Sequence, residues 1–190
     1  MLLLRIHRVE MTTGRALRGA LFESVILAIV ALFLKARGWT PERLGLKFSF
    51  AAAWFGVVLF IAYILWYWIT AIVIGLMAPS LTHAQPFQFT ITAAPLAMIA
   101  FIVVNSFFEE IIVSGYVITA LSAQGAALAI TASTLLRFLY HLYQGPLASI
   151  SILPLGLLFG AVFWRWRSVW PLIVAHTIAN LLSFIVVTQH

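Results

Sequence analysis

Long apolar runs separated by short basic or Pro- and Gly-containing breaks set the pattern of the chain. Several of these runs exceed 18 residues with little or no charge, the length a helix needs to cross a bilayer. The pattern predicts helices over about 16–34, 51–77, 94–121, 125–142, 147–164 and 169–188. The first is short and contains Glu23, expected to be solvated or interfacial. The second is long and carries Trp54, Trp66, Tyr67 and Trp68, rings of the kind that settle at a membrane interface. Pro79, Pro86 and Pro95 punctuate one sizeable polar loop, roughly 78–93. Gly125, Gly145-Pro146 and Ser168 mark the later turns. Thr40-Pro41 reads as a helix start, with a short surface helix expected after it.

The fold class that follows is all-α: a polytopic transmembrane bundle of about six hydrophobic helices, five or six of them spanning. Composition supports one membrane domain over residues 1–190. The chain is 64% hydrophobic and 8% charged, too few charges to solvate a soluble domain of 190 residues. Its net charge is +6, yet the bases lie in short flanks beside apolar runs. That is the distribution of the positive-inside rule, so no nucleic-acid partner is expected. The run Trp164-Arg165-Trp166-Arg167 is read as a boundary anchor. With no cysteine, disulfides, thiolate metal sites and a cysteine nucleophile are excluded. The N-terminal apolar run ends in Lys35-Ala36-Arg37-Gly38 without a small-residue cleavage site, and is expected to be retained. Two arrangements stay open: 16–34 spans, placing four N-terminal arginines outside, or it lies in the interface.

Ionisable groups inside a bilayer cost roughly 2.5–3.5 kcal/mol each, even on lenient insertion scales. Three predicted helices nevertheless carry polar pairs: Glu109-Glu110, Arg137 with His141, and His176 with Asn180. At about 1.5 Å per residue, and counted from the side on which the third helix ends, Glu109 lies ~20 Å deep. On the same scale Arg137 is at ~18 Å, His141 ~24 Å, His176 ~12 Å and Asn180 ~18 Å. These levels allow one polar cavity, with membrane lipids around it.

Such a set suits hydrolysis. Two adjacent glutamates are expected to titrate together and poise one carboxylate as a base near neutral pH. One histidine would hold or help deprotonate a water, and a second histidine with an asparagine amide would stabilise an oxyanion. Alternatively, Glu109, His141 and His176 would ligate a divalent metal such as zinc, leaving a position for water.

In their order and spacing these residues resemble the CPBP intramembrane proteases, which include the CAAX prenyl endopeptidases and bacteriocin-processing, Abi-type proteins. That family carries Glu-Glu-x-x-x-Arg, Phe-x-x-x-His and His-x-x-x-Asn/Asp motifs on successive core helices. Here they stand as Glu109-Glu110-Ile-Ile-Val-Ser114, Arg137-Phe-Leu-Tyr-His141 and His176-Thr-Ile-Ala-Asn180, within a core over 94–188. The resemblance implies that Glu109 and His141 activate water and that His176 and Asn180 stabilise the oxyanion. It also implies an endopeptidase, called a metalloprotease in much of the family, acting on a membrane-associated or prenylated protein or peptide. The plasma (inner) membrane of a prokaryote is the expected location. Two positions depart from the pattern: Ser114 replaces an arginine, and Arg137 replaces a phenylalanine. The expectation is that Arg137 supplies the displaced cation.

Three other readings compete. Glu109 and Glu110 would form a structural pair neutralised by Arg137, with His141, His176 and Asn180 as interhelical hydrogen-bonding groups. A second is a non-catalytic immunity or scaffold protein of the same fold. A third is a proton-coupled transporter, against which the small size and lack of repeated halves argue. Tyr143 and Gln144 are read as interface residues. His83 is read as solvated or interfacial, and His190 carries no argument.

Overall fold

The computed structural model describes residues 7–79, 87–144 and 146–188; His83 and His190 lie outside them. Among the described residues six helices follow one another: α1 Thr13–Ala36, α2 Phe50–Met77, α3 Pro95–Glu109, α4 Ala126–His141, α5 Pro146–Trp166 and α6 Trp170–Thr188. Helix α3 continues without a break into a π-helix, Glu110–Ile118. Five stretches are long and apolar enough to cross a membrane: α1, α2, α3 with its π-helical extension, Ser149–Trp166 of α5, and α6. The chain is therefore an integral, multi-pass membrane protein. Large side chains such as Leu21, Leu32, Trp54 and Leu76 remain exposed on α1 and α2, as lipid-facing residues do.

Helices in this bundle approach closely where a side chain is missing. A Cβ at Gly156 or Gly160 of α5 would fall 2.8 Å from Thr134 or Ile130 of α4. One at Gly56 of α2 would meet Val174 of α6 at 2.6 Å. Small residues at crossings are how membrane helices gain packing energy without a hydrophobic drive.

Helices α1 and α3 run parallel. At their start the Ala94 N–H donates to Thr13 Oγ1 (2.8 Å), and two turns on Gly19 faces the Phe101 ring. One turn further the Asn105 amide donates to Glu23 Oε1 (3.0 Å). An interfacial helix would cross α3 at one level; α1 meets it at three, which sets the interfacial arrangement aside.

Two strands precede these helices, and the hydrophobic pattern did not anticipate them. Strand β1 (His7–Met11) pairs in parallel with β2 (Phe87–Ile91), His7 opposite Phe87 and Met11 opposite Ile91. Thr92 Oγ1 donates to Glu10 Oε1 (2.9 Å) just beyond the pair. No local signal marks such a sheet, because its partners lie 80 residues apart.

At the opposite end the chain closes on itself. The surface helix expected after Thr40-Pro41 is instead a run of turns. Thr40 Oγ1 does accept from the Arg43 N–H (3.3 Å), but Gly45 takes φ +78° and ends the winding after one turn. That conformation lets the Gly45 carbonyl accept from the Val169 N–H (3.1 Å), and a Cβ there would sit 2.8 Å from the Arg167 carbonyl. Trp170 Nε1 donates to the Leu46 carbonyl (3.0 Å). Phe159, Phe163, Val169 and Leu172, all fully buried, build the core beneath this end.

Candidate active site

The change from α- to π-winding begins at Glu110, between the two adjacent glutamates. Such stretches are rare and concentrate at functional sites. Ser133 of α4 donates to the Val113 carbonyl within it (2.9 Å). Consecutive helical residues point roughly 100° apart. Glu109 and Glu110 therefore face different surroundings.

Glu110 is fully buried. Arg137 grips it with a two-pronged fork, Nη1 to Oε1 and Nη2 to Oε2, both at 2.9 Å. Ser114 Oγ donates to Oε2 (2.8 Å), and Arg137 Nη2 also reaches Ser114 Oγ (3.4 Å). The Arg137 guanidinium lies 5.7 Å from the centre of the Phe159 ring. His176 Nδ1 stands 2.8 Å from Glu110 Oε1. An ionised carboxylate only accepts, so this nitrogen carries a proton, and the ring turns Nε2 away from the clamp. A buried ion pair is tolerated when its remaining lone pairs are satisfied this fully. The Arg137–Ser114 exchange anticipated from the sequence thus has direct geometry: the arginine comes from α4 and the serine stands where its side chain ends.

Glu109 turns the other way, toward an elongated cavity of about 490 Å³. Its side chain is 12% exposed, it accepts a hydrogen bond from the Tyr140 hydroxyl, and Arg137 Nη1 lies 3.5 Å away. The two glutamates share one cation, since Arg137 Nη1 lies 2.9 Å from Glu110 and 3.5 Å from Glu109, but their other partners differ: His176 and Ser114 for Glu110, Tyr140 for Glu109.

His141 closes α4. Its Nδ1 lies 2.8 Å from the Arg137 carbonyl, which only accepts; Nδ1 is thus the protonated nitrogen, and Nε2 keeps its lone pair. The ring packs on Tyr140 at 4.5 Å, and Ser149 Oγ donates to the His141 carbonyl (3.0 Å). Helix α4 has only 16 residues, about 24 Å. It stops short of a full crossing, and the turn that follows lines the cavity. That segment, Leu142–Gln144, is one 3-10 turn, and such a break in α-winding is tolerated where it faces a cavity.

Glu109, Arg137, His141, His176 and Asn180 all line this one cavity, while Glu110 is sealed behind it. Met11 and Ile91, the last residues of β1 and β2, line it as well, so the sheet stands at its edge. Tyr143 and Gln144, read as interface residues, also line it, with Tyr143 65% exposed at the rim. Glu23, expected to be solvated or interfacial, is part-buried against Asn105. Sequence reasoning missed two polar neighbours of Glu109. Tyr140 sits at an unspecified position of its motif. Asn105 precedes Glu109 by four residues, the spacing that puts both on one helix face, and was the available signal.

The metal reading fits less well. Among the described residues no three His, Asp, Glu or Cys side chains gather closely enough to hold a metal ion. The Nδ1 atoms of His141 and His176 are both committed, and Glu109 is held by Tyr140 and Arg137. Glu109, His141 and His176 are not gathered as a ligand set among the described residues, although both histidines leave uncommitted the Nε2 that a metal would take.

The geometry is that of a mainly helical membrane bundle whose cavity is lined by a carboxylate, two histidines and an asparagine. Residues 91–182 match the model of the family described as type II CAAX prenyl endopeptidase Rce1-like. This match, over just under half of the chain, supports a CPBP family intramembrane protease, and a protease implies a protein or peptide substrate. No curated protein and no solved structure matches the chain.

Proposed function

We propose that this protein is an intramembrane endopeptidase in which Glu109 is the base. The observation that carries the reading is the division of labour between the adjacent glutamates: Glu110 is neutralised and sealed, Glu109 faces the cavity. A water held between Glu109 and the free Nε2 of His141 gives a proton to Glu109 and adds its oxygen to the scissile carbonyl carbon. The carbonyl oxygen becomes an oxyanion, received by the Asn180 amide and by Nε2 of His176. A donor at Nε2 requires the doubly protonated ring, whose charge then faces Glu110. Collapse of the tetrahedral intermediate breaks the C–N bond, and Glu109 returns its proton to the leaving amine. Arg137, Ser114 and Glu110 hold His176 in place through the clamp, and Arg137 also stands 3.5 Å from the base Glu109. The substrate is a membrane-associated or prenylated protein or peptide, and the membrane the inner membrane of a prokaryote.

The test needs no guessed substrate. Newly created peptide termini are compared across the membrane proteome of cells expressing the wild type or Glu109→Gln at equal levels. Termini that appear with the wild type alone are the expected result. Identical termini from two folded, abundant proteins would overturn the reading in favour of a partner-binding immunity or scaffold protein.

A further inference from the structure

A third glutamate, Glu23, stands at membrane depth on α1, outside the segment that matches the protease family. Its Oε1 accepts from the Asn105 side-chain amide at 3.0 Å. Its Oε2 is buried with no hydrogen-bond partner among the described residues. A carboxyl group in this position is costly. A single interhelical hydrogen bond between membrane helices recovers only about 0.6 kcal/mol on average, far less than that cost. Helix packing alone thus gives no reason to keep Glu23.

What Glu23 does is orient an amide. Asn105 lines the cavity, on the same face of α3 as Glu109 and one turn nearer the sheet-bearing end. Asn105 has two chemically different ends, a donor and an acceptor. With one N–H held by Glu23 the amide plane is fixed, and its oxygen is the acceptor it can present to the cavity. An extended peptide entering past Met11 and Ile91 carries backbone N–H groups into a poorly solvated space. There an unmatched donor is expensive.

We infer that Asn105 is a substrate-binding residue that accepts a backbone N–H of the peptide, and that Glu23 is the positioning residue that turns its amide for the task. Asn105 and Glu109 are four residues apart, about 6 Å along the helix. An extended chain advances about 3.3 Å per residue. The bound N–H therefore lies about two residues from the scissile carbonyl, on the side of the cavity entrance. The contact fixes the register of the chain over Glu109. It rests on the endopeptidase reading and adds to it a requirement: cleavage position depends on α1.

The experiment measures position as well as yield. Termini produced by the wild type, Asn105→Ala, Glu23→Leu and Glu23→Gln are mapped at equal expression, with Glu109→Gln as the blank. Asn105→Ala is expected to lower cleavage about tenfold, the worth of one hydrogen bond. It should also spread each cut over neighbouring peptide bonds. Glu23→Leu should do the same, and Glu23→Gln, which keeps an acceptor oxygen, should restore the wild-type position. The Glu23 pair leaves Asn105 in place and decides the matter should Asn105→Ala not fold. A uniform drop at unshifted positions, or no change at all, overturns the inference while leaving the endopeptidase reading intact. Absence of any wild-type-dependent termini overturns both.

Discussion

The two faces of the polar layer differ more than their sequence neighbourhood suggests. On one face Glu110, Arg137, Ser114 and Nδ1 of His176 form a sealed network in which every carboxylate oxygen has two partners. On the other, Glu109, Asn180, Nε2 of His141 and Nε2 of His176 look into the cavity. The first face resembles the inside of a protein and the second a solvent site, although one peptide bond separates the two glutamates. The lesson is that the pair is not a duplicate. One carboxylate is sealed among the helices and the other reaches the cavity.

Substitutions that act on one face alone are the means of breaking this contrast. The largest expected effect is on the open face: Glu109→Gln abolishes wild-type-dependent cleavage while thermal unfolding in detergent stays as in the wild type. On the sealed face Glu110→Ala strands a buried arginine and should cost about 3–5 kcal/mol of stability. It is read as a large fall in melting temperature or folded yield; a normal melting curve would mean that the clamp does not hold the bundle. Next come His176→Ala and Asn180→Ala, each expected to slow cleavage by roughly 10²–10³ as oxyanion donors. An unchanged rate for either removes it from that role. Smaller still is the exchange of clamp partners. Arg137→Ala alone should lose folded protein, and adding Ser114→Arg should recover part of it, since Ser114 already touches Glu110. No recovery would show that the arginine is required on α4. Tyr140→Phe should have the least effect, about 1 kcal/mol from the lost bond to Glu109, seen as a several-fold slower rate.

How much of this was legible in the sequence depends on whether position along a helix axis was enough. Depth follows from a rise per residue, so Glu109, Arg137, His141, His176 and Asn180 were expected at compatible levels, and all five line one cavity. The neighbours each glutamate meets were harder to read, because Arg137 and His176 lie on helices distant in the sequence. The exchange of arginine and serine between helices was readable from the motif departures, since a buried carboxylate demands a cation from somewhere. Glu23 was misread for a similar reason. Its partner Asn105 lies 82 residues away, and nothing local distinguishes a paired carboxylate from an interfacial one. The β1–β2 sheet was invisible on the same ground.

The parallel pairing of α1 with α3 bears on how the protein is assembled in the membrane. Helix α1 is synthesised before α3, so the partner of Glu23 is not made until α2 has turned back and α3 has followed. Until then α1 carries a carboxyl group into lipid unaccompanied, at a cost of roughly 2.5–3.5 kcal/mol. The early helix is thus a poor resident of the bilayer on its own. It becomes a good one only when the helix bearing Glu109 arrives beside it, so a chain interrupted before α3 holds its first span weakly and is open to removal.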